Sequence, residues 1–135
     1  MVEEYHRTCK VVLVGETGVG KTCIISRYIN DTFSSNTEST TGASFACKIM
    51  NFEDFKKVIK FEIWDTAGQE KYRALSKIFY KDAAIAILVY DITREESFEE
   101  LKQYWYQQLK TYGSSDTSKV NSYKYIRLYS YWYCS

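Results

Sequence analysis

The ten residues "VGETGVGKTC", Val14 to Cys23, constrain this chain more than any other stretch. They follow directly on "KVVLVG" (10–15), an aliphatic run that is apolar on both parities. A strand with no polar face suits the middle of a parallel sheet covered on both sides. "GETGVGKT" has the spacing G-x-x-x-x-G-K-[ST], with Gly15, Gly20, Lys21 and Thr22 at the defining positions. Glycines let backbone N–H groups converge on phosphate oxygens, and a helix starting just beyond adds its positive end. In this reading Thr17, Gly18, Val19 and Cys23 supply further contacts around the phosphates. Lys21 reaches the β- and γ-phosphates, and the Thr22 hydroxyl ligates Mg²⁺. The bland alternative is a glycine-rich turn, and average residue usage makes a chance match roughly a one-in-a-hundred event or rarer.

The remaining pattern alternates strands with helices. A helix is predicted from about Lys21 to Asn30, with Ile25, Tyr28 and Ile29 on one side. Residues 31–42 are polar and without period, and read as a loop. A hairpin follows: strand "ASFACKIM", a turn near "NFEDFK", strand "KVIKFEIW". In the second strand Ile59, Phe61 and Ile63 share one face, and Lys60, Glu62 and Trp64 the other. "AAIAILVYD" reads as a further buried strand. Thr93 with Glu96 has capping-box spacing before a helix whose core face is Phe98, Leu101, Trp105, Leu109 and Tyr112, with Gly113 as the stop. Such alternation implies an α/β fold, in which ligands sit at the carboxyl ends of the strands.

With 135 residues the chain suits one domain. A formal net charge of +1 does not point to nucleic acid or an anionic membrane. The four cysteines lack CxxC spacing and "MVEEYHRTCK" lacks the apolar core of a signal peptide, so the expectation is reduced thiols in the cytoplasm.

"IWDTAGQE" (63–70) closes another strand. An acidic residue there can give the metal a second protein contact, so Asp65 is the Walker-B candidate. Gly68 lets a backbone N–H approach a γ-phosphate, and Gln69 can orient an attacking water. With the glycine loop present, the two motifs reinforce each other. Here the chain resembles the Ras superfamily of small GTPases, and within it the Rab branch. "GETGVGKT", "TTGASF", "FEIWDTAGQEKYRAL" and "LVYDITREESFEEL" all look like Rab segments in the right order. "STTGASF" and "DITREESF" lean towards endosomal Rabs. The resemblance covers roughly residues 8 to 113.

It implies the three-layer P-loop NTPase fold of a small G-protein, bound to GTP or GDP with Mg²⁺, acting as a switch in vesicle trafficking. By the same resemblance Phe33 stacks near the base, and Thr40 completes the Mg²⁺ shell beside Thr22 and Asp65. Gly68 donates to the γ-phosphate, and Gln69, Lys21 and Thr40 serve hydrolysis. The stretches around Thr40 and Gln69 are then the switches. A GAP, an exchange factor and effectors are the implied partners, effectors docking on Phe45, Trp64 and Phe79. Trp64 lies on the wetter parity of its strand, and an exposed tryptophan beside a ligand-dependent loop independently suggests a docking site. Thr41 stands where isoleucine is usual. Thr17 stands where Ras proteins have glycine and Rabs usually serine; its branched side chain is expected to crowd Gln69 and slow hydrolysis.

Beyond Gly113 the likeness stops. The N-K-x-D and S-A-K motifs do not occur in residues 114–135, so guanine preference is inherited from the resemblance, and the fold is expected to be incomplete, lacking its C-terminal strands and helices. A truncated, largely inactive fragment and a P-loop nucleotide binder with weak base specificity stand as alternatives. The tyrosine-rich tail reads as disordered, as read-through of non-coding sequence, or, through the alternation at Tyr123, Tyr125, Arg127, Tyr129, Tyr131 and Tyr133, as a substitute strand. Cys134 followed by Ser135 fits no prenylation ending, so no stable membrane anchor is predicted.

Overall fold

The double-sided apolar run becomes the centre of a sheet, and the rest of the molecule is arranged about it. The computed structural model describes residues 5–34, 43–66, 73–113 and 124–128. Its strands are β1 (Arg7–Val14), β2 (Ala43–Phe52), β3 (Lys57–Thr66), β4 (Ile85–Asp91) and β5 (Lys124–Leu128), in the spatial order β2-β3-β1-β4-β5. β1 pairs in parallel with β3 on one side and β4 on the other. β2 is antiparallel to β3, closing the predicted hairpin through a 3-10 turn at Glu53–Phe55 and a left-handed Lys56.

Because β1 is covered on both faces, its alternate residues enter different cores. Val11 and Leu13 join Ile63 and Val89 in one, and Ile24, Ile25 and Ile29 of helix α1 (Lys21–Asn30) pack against it. Val12 and Val14 join Ala86, Leu88, Tyr80, Leu101, Trp105 and Leu109 in the other. Those residues bring in α2 (Arg73–Tyr80), the π-helical turn Leu101–Trp105 and α4 (Tyr106–Tyr112), and Phe98 packs α3 (Glu95–Glu100) against the same core. Helices therefore lie on both faces of the sheet, a three-layer α/β arrangement. Full burial of each such aliphatic side chain contributes about 1.5–3 kcal/mol.

Several details differ from the sequence expectation. Tyr28 lies towards the edge strand β2 and stays 41% exposed, its hydroxyl on Met50 and its ring under Lys48. Tyr112 is also exposed, at the solvent end of its helix, with the Lys77 ammonium over its ring. The Thr93–Glu96 capping box does not form. The helix starts one residue later, with Arg94 as N-cap and no side-chain cap bond. The Thr93 hydroxyl instead donates to Asp91 Oδ1 at 2.7 Å, a nearer acceptor in a tight turn. Beside β4, the backbone of β5 runs in parallel from Ile87↔Lys124 to Asp91↔Leu128, so part of the alternating tail lies where an aliphatic strand was missing. Among the described residues no helix is long and apolar enough to cross a membrane.

Candidate functional site

Parallel pairing of β1 with β3 sets Leu13 opposite Asp65, so both strands deliver their carboxyl ends to one place. The glycine loop leaves β1 there. Gly15 passes so close to β4 that a Cβ on it would meet the Val89 carbonyl oxygen at 2.2 Å. Gly20, in the left-handed region at φ 98°, turns the chain into α1, whose first bond runs from the Ile24 N–H to the Gly20 carbonyl at 3.0 Å. Val19 is buried and anchors the loop in the α1-side core.

Lys21 folds back under the loop. Its Nζ donates to the Gly15 carbonyl at 3.0 Å and the Glu16 carbonyl at 2.8 Å. Only 6% of the residue is exposed, and burial pushes the ammonium down to about 8, against the opposing pull of Asp65 and Glu16. A buried ammonium with this tendency gains from an anion brought beside it. The Thr22 hydroxyl donates to Asp65 Oδ2, a contact between residues 43 positions apart. Asp65 is 1% exposed, and its neighbour Thr66 ties β3 to β1 through the Leu13 carbonyl at 2.6 Å.

One hydroxyl and one carboxylate, adjacent and shielded, are hard oxygen donors that fit Mg²⁺, which takes one or two carboxylates and completes its shell with water and phosphate oxygens. Among the described residues no group of three His, Cys, Asp or Glu side chains forms a dedicated metal cage. Thr17 and Cys23 are half-buried, Gly18 is exposed, and Phe33 is exposed at the far end of α1. Thr40, Thr41, Gly68 and Gln69 lie outside the described residues, so the expected crowding of Gln69 by Thr17 does too.

A second cluster sits across the sheet. Phe45 and Trp64 are register partners on β2 and β3 with ring centroids 4.8 Å apart, and Phe79 of α2 lies 5.5 Å from Trp64. The sequence expectation of an exposed Trp64 needs correcting. Its strand parity points it towards α2, so the indole is half-buried against the core with Nε1 shielded. Phe45, at 49% exposure, is the ring that faces outward.

One participant was missed from sequence. The Arg94 guanidinium reaches the glycine loop, donating from Nη2 to the Thr17 carbonyl at 3.1 Å. No local motif announces it, although the rule that ligands gather at carboxyl ends of strands pointed to the loop after β4.

A lysine-closed glycine loop at the end of a central parallel strand, answered by an aspartate on the adjacent strand, defines the P-loop class of α/β nucleotide-binding proteins. The Ras family model matches residues 10–122. Among known proteins, the chain is 48% identical over 107 residues to Ras-related protein Rab-22A of Homo sapiens, covering 79% of this chain and 54% of that one. It is 46% identical over 110 residues to RABA1c of Arabidopsis thaliana (82% and 50% covered) and 45% identical over 112 residues to RGP2 of Oryza sativa subsp. japonica (83% and 50%). The chain belongs to the Ras family, in its Rab branch. It spans about half the length of the curated relatives it matches.

Proposed function

We propose that this chain is a guanine-nucleotide switch of the Rab type, holding GTP or GDP with Mg²⁺ and hydrolysing GTP. The observation that carries the reading is the closure of the glycine loop by Lys21 beside the Thr22–Asp65 pair. Loop amides and Lys21 grip the phosphates, while Thr22 and Asp65 hold the metal. Mg²⁺ held there would supply positive charge against the charge developing on the phosphates. Thr40 and Gly68 sense the γ-phosphate, and Gln69 orients the attacking water. A GAP accelerates the slow intrinsic step, and an exchange factor reloads the site.

Effectors are read by the strip Phe45–Trp64–Phe79, whose outward ring supplies aromatic area at the centre of a contact. In this reading the switch works in the cytoplasm, at the surface of endomembranes in vesicle traffic. The test is binding of fluorescent GDP and fluorescent ADP to this chain with and without Mg²⁺, with circular dichroism alongside. Tight, Mg²⁺-dependent, GDP-selective binding supports the proposal. Equal modest affinities point instead to a nucleotide binder with relaxed base choice. A Lys21→Ala chain that holds GDP as well as the parent would overturn the reading.

A further inference from the structure

We propose that Arg94 is a positioning residue for the β-phosphate of the bound nucleotide, acting through the peptide plane between Thr17 and Gly18; the inference rests on the nucleotide-binding reading above. Arg94 lies 77 positions from Thr17, yet its Nη2 hydrogen-bonds the Thr17 carbonyl at 3.1 Å. A trans peptide is planar, so its N–H points opposite to its carbonyl. Holding the Thr17 oxygen towards Arg94 therefore aims the Gly18 N–H away from Arg94, leaving it to face a phosphate held by the loop.

Sterics alone do not set that plane. Gly18 has φ +76°, and glycine crosses between positive and negative φ at little cost. An added Cβ on Gly18 would find a single described heavy atom within 4 Å, the Arg94 Nη2 at 3.9 Å. Among the described residues, Arg94 is thus the side chain that stands beside the tip of the loop at this point.

That side chain is well seated. The Arg94 N–H donates to the Asp91 carbonyl, and its own carbonyl accepts from the Ser97 N–H at 3.0 Å and from the Ser97 hydroxyl at 2.8 Å. Its guanidinium lies between two carboxylates, with Nε 3.7 Å from Asp91 and Nη2 3.9 Å from Glu16. Those ion pairs are partly exposed and weak in energy. Their effect is directional: they keep the fork where the Thr17 oxygen can find it.

The experiment is competition of GDP and of GMP, which lacks the β-phosphate, against fluorescent GDP. In the parent GDP binds more tightly than GMP. Arg94→Ala should lower GDP affinity about tenfold, the scale of one charge-assisted hydrogen bond, and leave GMP nearly unchanged. Arg94→Gln, whose amide is too short to reach, should behave like alanine even if the alanine chain folds poorly. Arg94→Lys keeps a charged donor and should recover part of the loss. An equal loss for GDP and GMP, or none for either, would overturn the positioning role while leaving nucleotide binding intact. A parent that does not favour GDP over GMP would overturn both.

Discussion

The loop that leaves β1 after Val14 and the loop that leaves β4 at Asp91 meet at the carboxyl ends of neighbouring parallel strands, and they are built by different means. The first is shaped by backbone: Gly15 against β4, a left-handed Gly20, and two carbonyls gathered onto Lys21. The second is shaped by side chains. Asp91 Oδ1 accepts from both the N–H and the hydroxyl of Thr93, which holds its carboxyl below the usual range, and the Ser97 hydroxyl accepts the Asp91 N–H at 2.9 Å. A loop made of backbone leaves its N–H groups available to a ligand. A loop made of side-chain bonds is already satisfied and is suited to support.

That contrast can be broken most sharply at Gly15. Gly15→Ala sets a methyl 2.2 Å from the Val89 oxygen at a backbone angle other residues avoid. A loss of roughly 3 kcal/mol or more is expected, read as a lowered denaturation midpoint. A midpoint within error of the parent would mean that close approach does not shape this loop. Ser97→Ala should cost about 2 kcal/mol, because a hydroxyl on a 0% exposed residue is removed and its half-buried backbone partners at Asp91 and Arg94 lose their bonds. If instead the variant melts with the parent, the side-chain account of the second loop is wrong.

The smallest effect concerns protonation. Burial lowers the Lys21 pKa from 10.5 to about 8, so the folded state releases this proton first. Between those values the unfolded chain binds more protons and stability rises with pH; below about 8 the burial penalty is present in full. Without nucleotide, a Lys21→Met chain should therefore lose its stability advantage over the parent as pH climbs through that window. A constant difference would place the ammonium in a wetter setting than its geometry implies.

The first loop was legible in sequence because its spacing encodes backbone geometry directly, and β1 was legible because a central strand leaves no polar parity. The second was misread at Thr93, where capping-box spacing took no account of the competing Asp91 carboxylate two residues away. Arg94 could not be found from local pattern, since its contact with Thr17 exists only once β1 and β4 lie side by side. Trp64 was placed on the correct face of its strand, but the helix that covers that face comes from residues 73–80, and parity alone says nothing of it. β5 is bound to β4 by ladder bonds that many sequences can make.

The half-shielded Trp64 has an optical consequence. Trp105 is 0% exposed within the core, so its emission is that of an apolar surrounding. The Trp64 indole touches Phe79 on one side, with the Lys10 ammonium 5.5 Å from its centre. Any displacement of the helix carrying Phe79 therefore changes the surroundings of the Trp64 indole and the light it emits.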